Sequence, residues 1–238
     1  MARQIKIKDR RKSARTQEDE YQTDQTNDYN EITPITPLNP AQKHYLNSIK
    51  TNIISFGIGP AGSGKSYCAA GYAADMLRAK KIDKIILTRP AVEAGEKLGF
   101  LPGLLEEKLE PYLALFMEIF YERLGRSFTD YLVKHKRIEA GPLAFMRGRT
   151  FSNCIAICDE SQNVTPGQML MFLTRIGANC KVIIDGDPQQ QDIPGLSGLM
   201  DAVHKLRGMA NVGVTDFDVN DIVRSGIVRD VLVAYAKK

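Results

Sequence analysis

One octapeptide constrains this chain more than any other feature. Gly59-Pro60-Ala61-Gly62-Ser63-Gly64-Lys65-Ser66 fits the pattern G-x-x-x-x-G-K-[S/T]. It follows an apolar run, Ile53 to Ile58, that reads as a buried strand, and it opens a run, Lys65 to Arg78, that reads as a helix. Strand, glycine turn and helix in that order make a cradle for phosphate. Glycine lets the backbone N–H groups turn inward toward phosphate oxygens. The helix N-terminus adds unpaired N–H groups and partial positive charge. Lys65 is expected on the β and γ phosphates, and the Ser66 hydroxyl on Mg²⁺.

Such an enzyme needs a second strand ending in a carboxylate. Ile155-Ala156-Ile157-Cys158-Asp159-Glu160 supplies it. Asp159 is expected to hold the metal directly or through water, and Glu160 to polarise the attacking water. A further strand runs into Asp185-Gly186-Asp187-Pro188-Gln189-Gln190, where a glutamine amide can both donate to and accept from the γ-phosphate region.

The remainder of the chain alternates in the same way. Strands are expected at 84–88, 138–140, 155–158, 181–184 and 212–217. Helices are expected at 103–123, 126–135, 166–175 (opened by Thr165), 198–206 and 221–235. This is an α/β pattern, with a mostly parallel sheet flanked by helices on both faces and ligands at the carboxyl ends of the strands. Residues 1–38 differ: basic residues from Arg3 to Arg15 precede an acidic, glutamine-rich stretch with few apolar residues, which predicts a disordered charged tail. The domain is then 39–238, with a largely helical insertion around 103–137.

Composition excludes several classes. The 238 residues carry a net charge of +4, a mild surplus that selects neither nucleic acid nor a plain solvated surface. The four cysteines form no Cys-x-x-Cys pair, which argues against a zinc site or a disulfide framework. No apolar run approaches a membrane span and no signal peptide is visible, so a cytoplasmic location without membrane contact is expected.

Several runs resemble the PhoH-like protein family: Leu87-Thr88-Arg89-Pro90 through Gly99-Phe100-Leu101-Pro102-Gly103, Met146-Arg147-Gly148-Arg149-Thr150, Asp159-Glu160-Ser161-Gln162-Asn163, Met171 to Gly177, and Asp221-Ile222-Val223-Arg224. The resemblance extends from about residue 39 to the end. It implies a cytoplasmic ATPase with a single RecA-like domain, similar to the first motor domain of superfamily 1 helicases. It also implies a family tied by name to phosphate starvation and common in phages. By position, Gln42 resembles the glutamine that reads adenine, Gln190 the γ-phosphate sensor, and Arg224 the late arginine that approaches the phosphates. Ser66 and Ser161 stand where the family commonly has threonine and alanine; Gln189 and Ser225 replace a frequent threonine and histidine.

The expected function is therefore hydrolysis of ATP to ADP and phosphate, coupled to RNA or single-stranded DNA. Lys65, Glu160, Gln190 and Arg224 are the catalytic set; Gly59 to Ser66, Tyr67 and Gln42 bind nucleotide; Ser66 and Asp159 hold Mg²⁺. A helicase motor closes ATP between two domains, and this chain has length for one. A homo-oligomer, such as a ring, would let Arg147, Arg149 or Arg175 of a neighbour complete the site. Lys97, Lys108, Arg126, Lys134, Lys136 and Arg137 are the cations available to grip a strand. The alternatives are a nucleotide-dependent binding switch with little turnover and a nucleoside kinase. The kinases that join a P-loop to a similar acidic segment carry a cysteine-rich zinc lasso, which this chain lacks. A GTPase is disfavoured by the absence of an Asn-Lys-x-Asp guanine reader.

Overall fold

A computed structural model describes residues 33–90 and 105–223, with single positions 226, 231 and 234 beyond them. Ile35 to Lys238 make one compact unit. In chain order its elements are α1 (Pro40–Thr51), β1 (Ile54–Ile58), α2 (Lys65–Arg78), β2 (Lys84–Arg89), α3 (Leu105–Leu124), α4 (Arg126–Lys134), β3 (Ile138–Pro142), β4 (Cys154–Cys158), α5 (Pro166–Leu173), β5 (Cys180–Gly186), α6 (Gly198–Leu206) and β6 (Val212–Asp216).

The strands form one six-stranded sheet in the order β3-β2-β4-β5-β1-β6. Every pairing is parallel. Successive residues of a strand face opposite sides, and the core divides accordingly. Ile85, Leu87, Ile155, Ile157 and Ile183 join a cluster with α1, α2, α3 and α4. Ile86, Ala156, Cys158, Val182 and Ile184 join a second cluster with α5 and α6. With both faces covered, β4 is buried at all five positions, and each fully buried isoleucine contributes about 1.5–3 kcal/mol. This is the expected α/β arrangement, a parallel sheet with helices on both faces.

Two elements differ from the sequence expectation. Helix α1 was not anticipated, although Asn39 caps it by accepting from the Gln42 N–H and Pro40 stands at its first turn. The last helix does not begin at Asp221. That residue closes a 3-10 turn, Val219–Asp221, whose Asp218 and Asp221 form a reciprocal capping box. Ile222 is extended, and the Val223 N–H donates to Gly62 O at 3.0 Å, so the chain crosses the phosphate loop before turning helical. Of the expected helix, Gly226, Val231 and Ala234 are described and are helical.

Of the expected tail, residues 1–32 lie outside the described residues. Ile35 belongs to the compact unit, its N–H donating to Asp75 Oδ2 on α2 at 3.1 Å.

Candidate active site

Four strands deliver their carboxyl ends to one edge in the order β2, β4, β5, β1. Register then decides which side chains meet. Thr88 is level with Cys158, and the Asp159 N–H donates to Thr88 O at 3.0 Å, so Arg89 emerges beside Asp159. Ile58 is level with Gly186, and the Gly59 N–H donates to Gly186 O at 3.1 Å, so the glycine loop emerges beside Asp187.

The loop has the backbone its glycines predict. Gly59, Gly62 and Gly64 have φ of 144°, 82° and 84°. The first bond inside α2 runs from Cys68 N–H to Gly64 O at 2.9 Å, so the N–H groups of Lys65, Ser66 and Tyr67 precede the helical ladder. The Lys65 ammonium is buried and lies 2.7 Å from Gly59 O, 2.8 Å from Pro60 O and 3.2 Å from Ser63 Oγ. Burial lowers its pKa, against the opposing pull of Asp185, Asp187, Asp159 and Glu160. The Tyr67 hydroxyl donates to Glu122 on α3 at 2.7 Å, which leaves only its backbone N–H for the loop.

The Ser66 hydroxyl donates to Asp159 Oδ1 at 3.2 Å. Asp159 is buried, and burial raises its pKa while Arg89 pulls it down. Glu160 follows with φ 51° and ψ 36°, a left-handed turn that swings its carboxylate away from the strand direction. Its Oε1 accepts from Arg89 Nη2 at 2.9 Å and its Oε2 from Gln162 Nε2 at 2.6 Å. Gln162 Oε1 in turn accepts from the Asp187 N–H at 3.0 Å. Asp187 Oδ2 accepts from the Ala61 N–H of the loop at 3.2 Å and from Gln190 Nε2 at 2.9 Å.

The hydroxyl of Ser66 and the carboxylate of Asp159 are hard oxygen donors of the kind Mg²⁺ takes, one or two at a time, alongside phosphate and water. Among the described residues there is no group of three or more His, Cys, Asp or Glu side chains that could hold a metal ion.

Gln42 is buried beneath the loop: its Nε2 donates to Ser63 O at 2.9 Å and its Oε1 accepts from the Leu38 N–H at 2.8 Å. Arg224, the segment 91–103 and Lys97 lie outside the described residues, as does the side chain of Lys108. Arg149 is paired with Glu139 at 2.5 Å, Arg175 donates to Met171 O and Thr174 Oγ1, and Arg147 is exposed. Sequence reasoning missed Arg89 and the tie between Gln162 and Asp187. Arg89 stood in a quoted run, but only the strand order shows what it faces. It also missed a buried pair behind the loop. The Tyr45 hydroxyl on α1 donates to Asp185 Oδ1, while Asp185 Oδ2 has no hydrogen-bond partner.

A family model described as PhoH-like protein matches residues 34–236. A PhoH-like protein of Bacillus subtilis is 48% identical over 199 residues, 83% of this chain and 62% of that protein. Protein PhoH of Escherichia coli is 44% identical over 200 residues, 82% of this chain and 56% of that protein. The chain thus spans somewhat less than two thirds of the length of these relatives. Among solved structures, the UvsW helicase of a bacteriophage aligns over 79% of this chain and 63% of its own at 14% identity, with a TM-score of 0.48. The family match covers the phosphate loop, the Asp159-Glu160 strand end and the Asp187–Gln190 turn together, and the chain belongs to the PhoH-like protein family.

Proposed function

We propose that this chain binds Mg-ATP on Gly59–Ser66 and hydrolyses it, with turnover coupled to single-stranded nucleic acid. The observation that carries the reading is the approach of Ser66 Oγ to Asp159 Oδ1, 3.2 Å, with Glu160 next in the chain. It supports a reading in which Ser66 and Asp159 share a metal and Glu160 serves as the general base beside them.

In this reading the loop N–H groups and the Lys65 ammonium bind the β and γ phosphates. Ser66 and Asp159 hold Mg²⁺, which supplies charge neutralisation on the phosphate oxygens when bound. Glu160 orients a water and accepts its proton. Gln190, tethered to Asp187, senses the γ-phosphate. Gln42 presents its amide to adenine, and Arg224 approaches the phosphates. A second copy of the chain contributes an arginine; Arg147, exposed on the turn after β3, is the best placed of the three considered. Arg126 and Lys134 at the two ends of α4, with Lys136 and Arg137 in the turn before β3, supply the cationic track. No helix among the described residues is long and apolar enough to cross a membrane.

The test is ATP turnover with and without single-stranded RNA and DNA across a salt series. Stimulation that fades as salt rises supports the coupling. Glu160→Gln should cut turnover by about 10²–10⁴-fold, to a residual that single-turnover measurement still reads, while nucleotide is retained. A parent protein that retains nucleotide but never cleaves it would move the reading to a binding switch.

A further inference from the structure

We propose that Arg89 is a positioning residue that sets the Glu160 carboxylate for water activation by bridging it to Asp159. The inference rests on the hydrolytic reading above and names a residue that reading does not use. Arg89 Nη2 lies 2.9 Å from Glu160 Oε1 and 3.1 Å from Asp159 Oδ2. One guanidinium nitrogen therefore spans two carboxylates that are adjacent in sequence and repel each other. Arg89 closes β2, the strand beside β4, and the parallel register between the two strands fixes its place. Its side chain is three-quarters covered, at 25% exposure; solvent screens its contact with the 8%-exposed Asp159 less than that with Glu160, which is 42% exposed.

The contact also closes a loop of hydrogen bonds that starts and ends on the phosphate cradle. Ala61 N–H donates to Asp187, the Asp187 N–H to Gln162, and Gln162 to Glu160. Arg89 joins Glu160 to Asp159, and Ser66 returns the chain to the cradle. Within this circuit each Glu160 oxygen accepts one bond, which fixes the carboxylate plane. An ionised carboxylate offers about four lone-pair sites, so two remain for water. A base held on both oxygens is preorganised; one held only by Gln162 can rotate about its terminal torsion. Arg89 is the only member of the circuit on β2.

Single-turnover cleavage of ATP by Arg89→Ala, Arg89→Lys, Glu160→Gln and the Arg89→Ala/Glu160→Gln double variant tests this, with fluorescent-nucleotide titration and a thermal melt of each. Arg89→Ala should slow cleavage by about 10- to 100-fold, the cost of a misplaced reacting group, with nucleotide affinity retained. Arg89→Lys should recover only part, because an ammonium lacks the forked geometry. The double variant should cleave no more slowly than Glu160→Gln alone, since Arg89 acts through Glu160. If Arg89→Ala melts below the assay temperature, Arg89→Lys against the parent and in the Glu160→Gln background carries the same comparison. Cleavage at the parental rate, or losses that multiply in the double variant, would overturn the assignment. Those results need a parent that cleaves ATP, so they are separable from failure of the hydrolytic reading, in which the parent itself does not.

Discussion

Ser66, on the first turn of α2, and Asp159, 93 residues later at the end of β4, approach within 3.2 Å through Ser66 Oγ and Asp159 Oδ1. Neither residue binds a divalent ion strongly alone. Together they offer the two hard oxygens that leave the remaining positions to phosphate and water. Asp159→Asn should raise the Mg²⁺ concentration for half-maximal nucleotide binding by at least about tenfold. Ser66→Ala should do the same more weakly, because a neutral hydroxyl contributes less than a carboxylate. Titrating Mg²⁺ at fixed fluorescent nucleotide checks both. Equal Mg²⁺ demand in parent and Asp159→Asn would remove Asp159 from the metal shell.

Behind the loop, the Tyr45–Asp185 pair predicts a dependence of stability on pH. Burial is the main cause that pushes the Asp185 carboxyl up to about 7; the Tyr45 hydrogen bond opposes it. In the unfolded chain an aspartate titrates near 3.9. Between those values the folded state binds more protons than the unfolded one, so this group's contribution makes stability fall as pH rises from about 4 through about 7. Asp185→Asn removes the titration and should flatten the slope in thermal melts at pH 5.5 and 8.5 (values on the order of the window just derived). Tyr45→Phe deletes the donor to a buried carboxyl and should destabilise by about 1.5–3 kcal/mol, more at the alkaline end. A slope unchanged by Asp185→Asn would show that other groups set it.

The legible part of this fold was periodic or local. Apolar runs such as Ile155–Cys158 and the glycine loop each declare an element within a few residues. Thr165 likewise signalled α5, and its side chain and Gln168 do form a capping box. Helix α1 was missed although Asn39 and Pro40 mark its start, because its mixed polar sequence weakens the apolar stripe. Arg89, Gln162 and Tyr45 were illegible for another reason. Their partners are set by the order β2-β4-β5-β1, which interleaves strands that are distant in sequence. The family resemblance supplied residue roles, but it could not show that Glu160 is held from two sides.

Two loop glycines should differ in what they tolerate. A Cβ on Gly59 would run into the Phe217 carbonyl, with Phe217 C 2.9 Å away, backbone just after β6 whose N–H is tied to Ile58 O at 2.7 Å. A Cβ on Gly64 would lie 2.5 Å from Gln42 Nε2 and would push it off Ser63 O, so its cost includes the Gln42 brace unless that is removed first. Gly59→Ala should therefore cost about 3 kcal/mol or more, overpacking and strain combined. In a Gln42→Ala background, which removes the brace that the Cβ would displace, Gly64→Ala should cost about 1–2 kcal/mol, the left-handed backbone penalty alone. Urea midpoints at constant slope measure the difference. The reverse order would mean that the Phe217 backbone yields more easily than the left-handed turn at Gly64.

One substitution separates two readings of Gln42, a brace for the loop and a reader of adenine. It braces the loop, donating to Ser63 O and accepting from the Leu38 N–H, both backbone groups that Gln42→Ala would leave without these partners. That loss should destabilise by about 2 kcal/mol. The amide keeps a second Nε2 hydrogen and a second lone pair on Oε1, the pair needed to face an adenine edge. A brace alone would weaken ATP and GTP binding equally when removed, because both present the same phosphates. An adenine reader would lose ATP preferentially, since GTP offers the opposite donor and acceptor pattern at that edge. We expect the ATP-to-GTP affinity ratio to fall toward one in Gln42→Ala, measured by competition against fluorescent nucleotide. A ratio that stays at the parental value while the melting temperature drops would leave Gln42 as a brace and send the search for the base reader elsewhere.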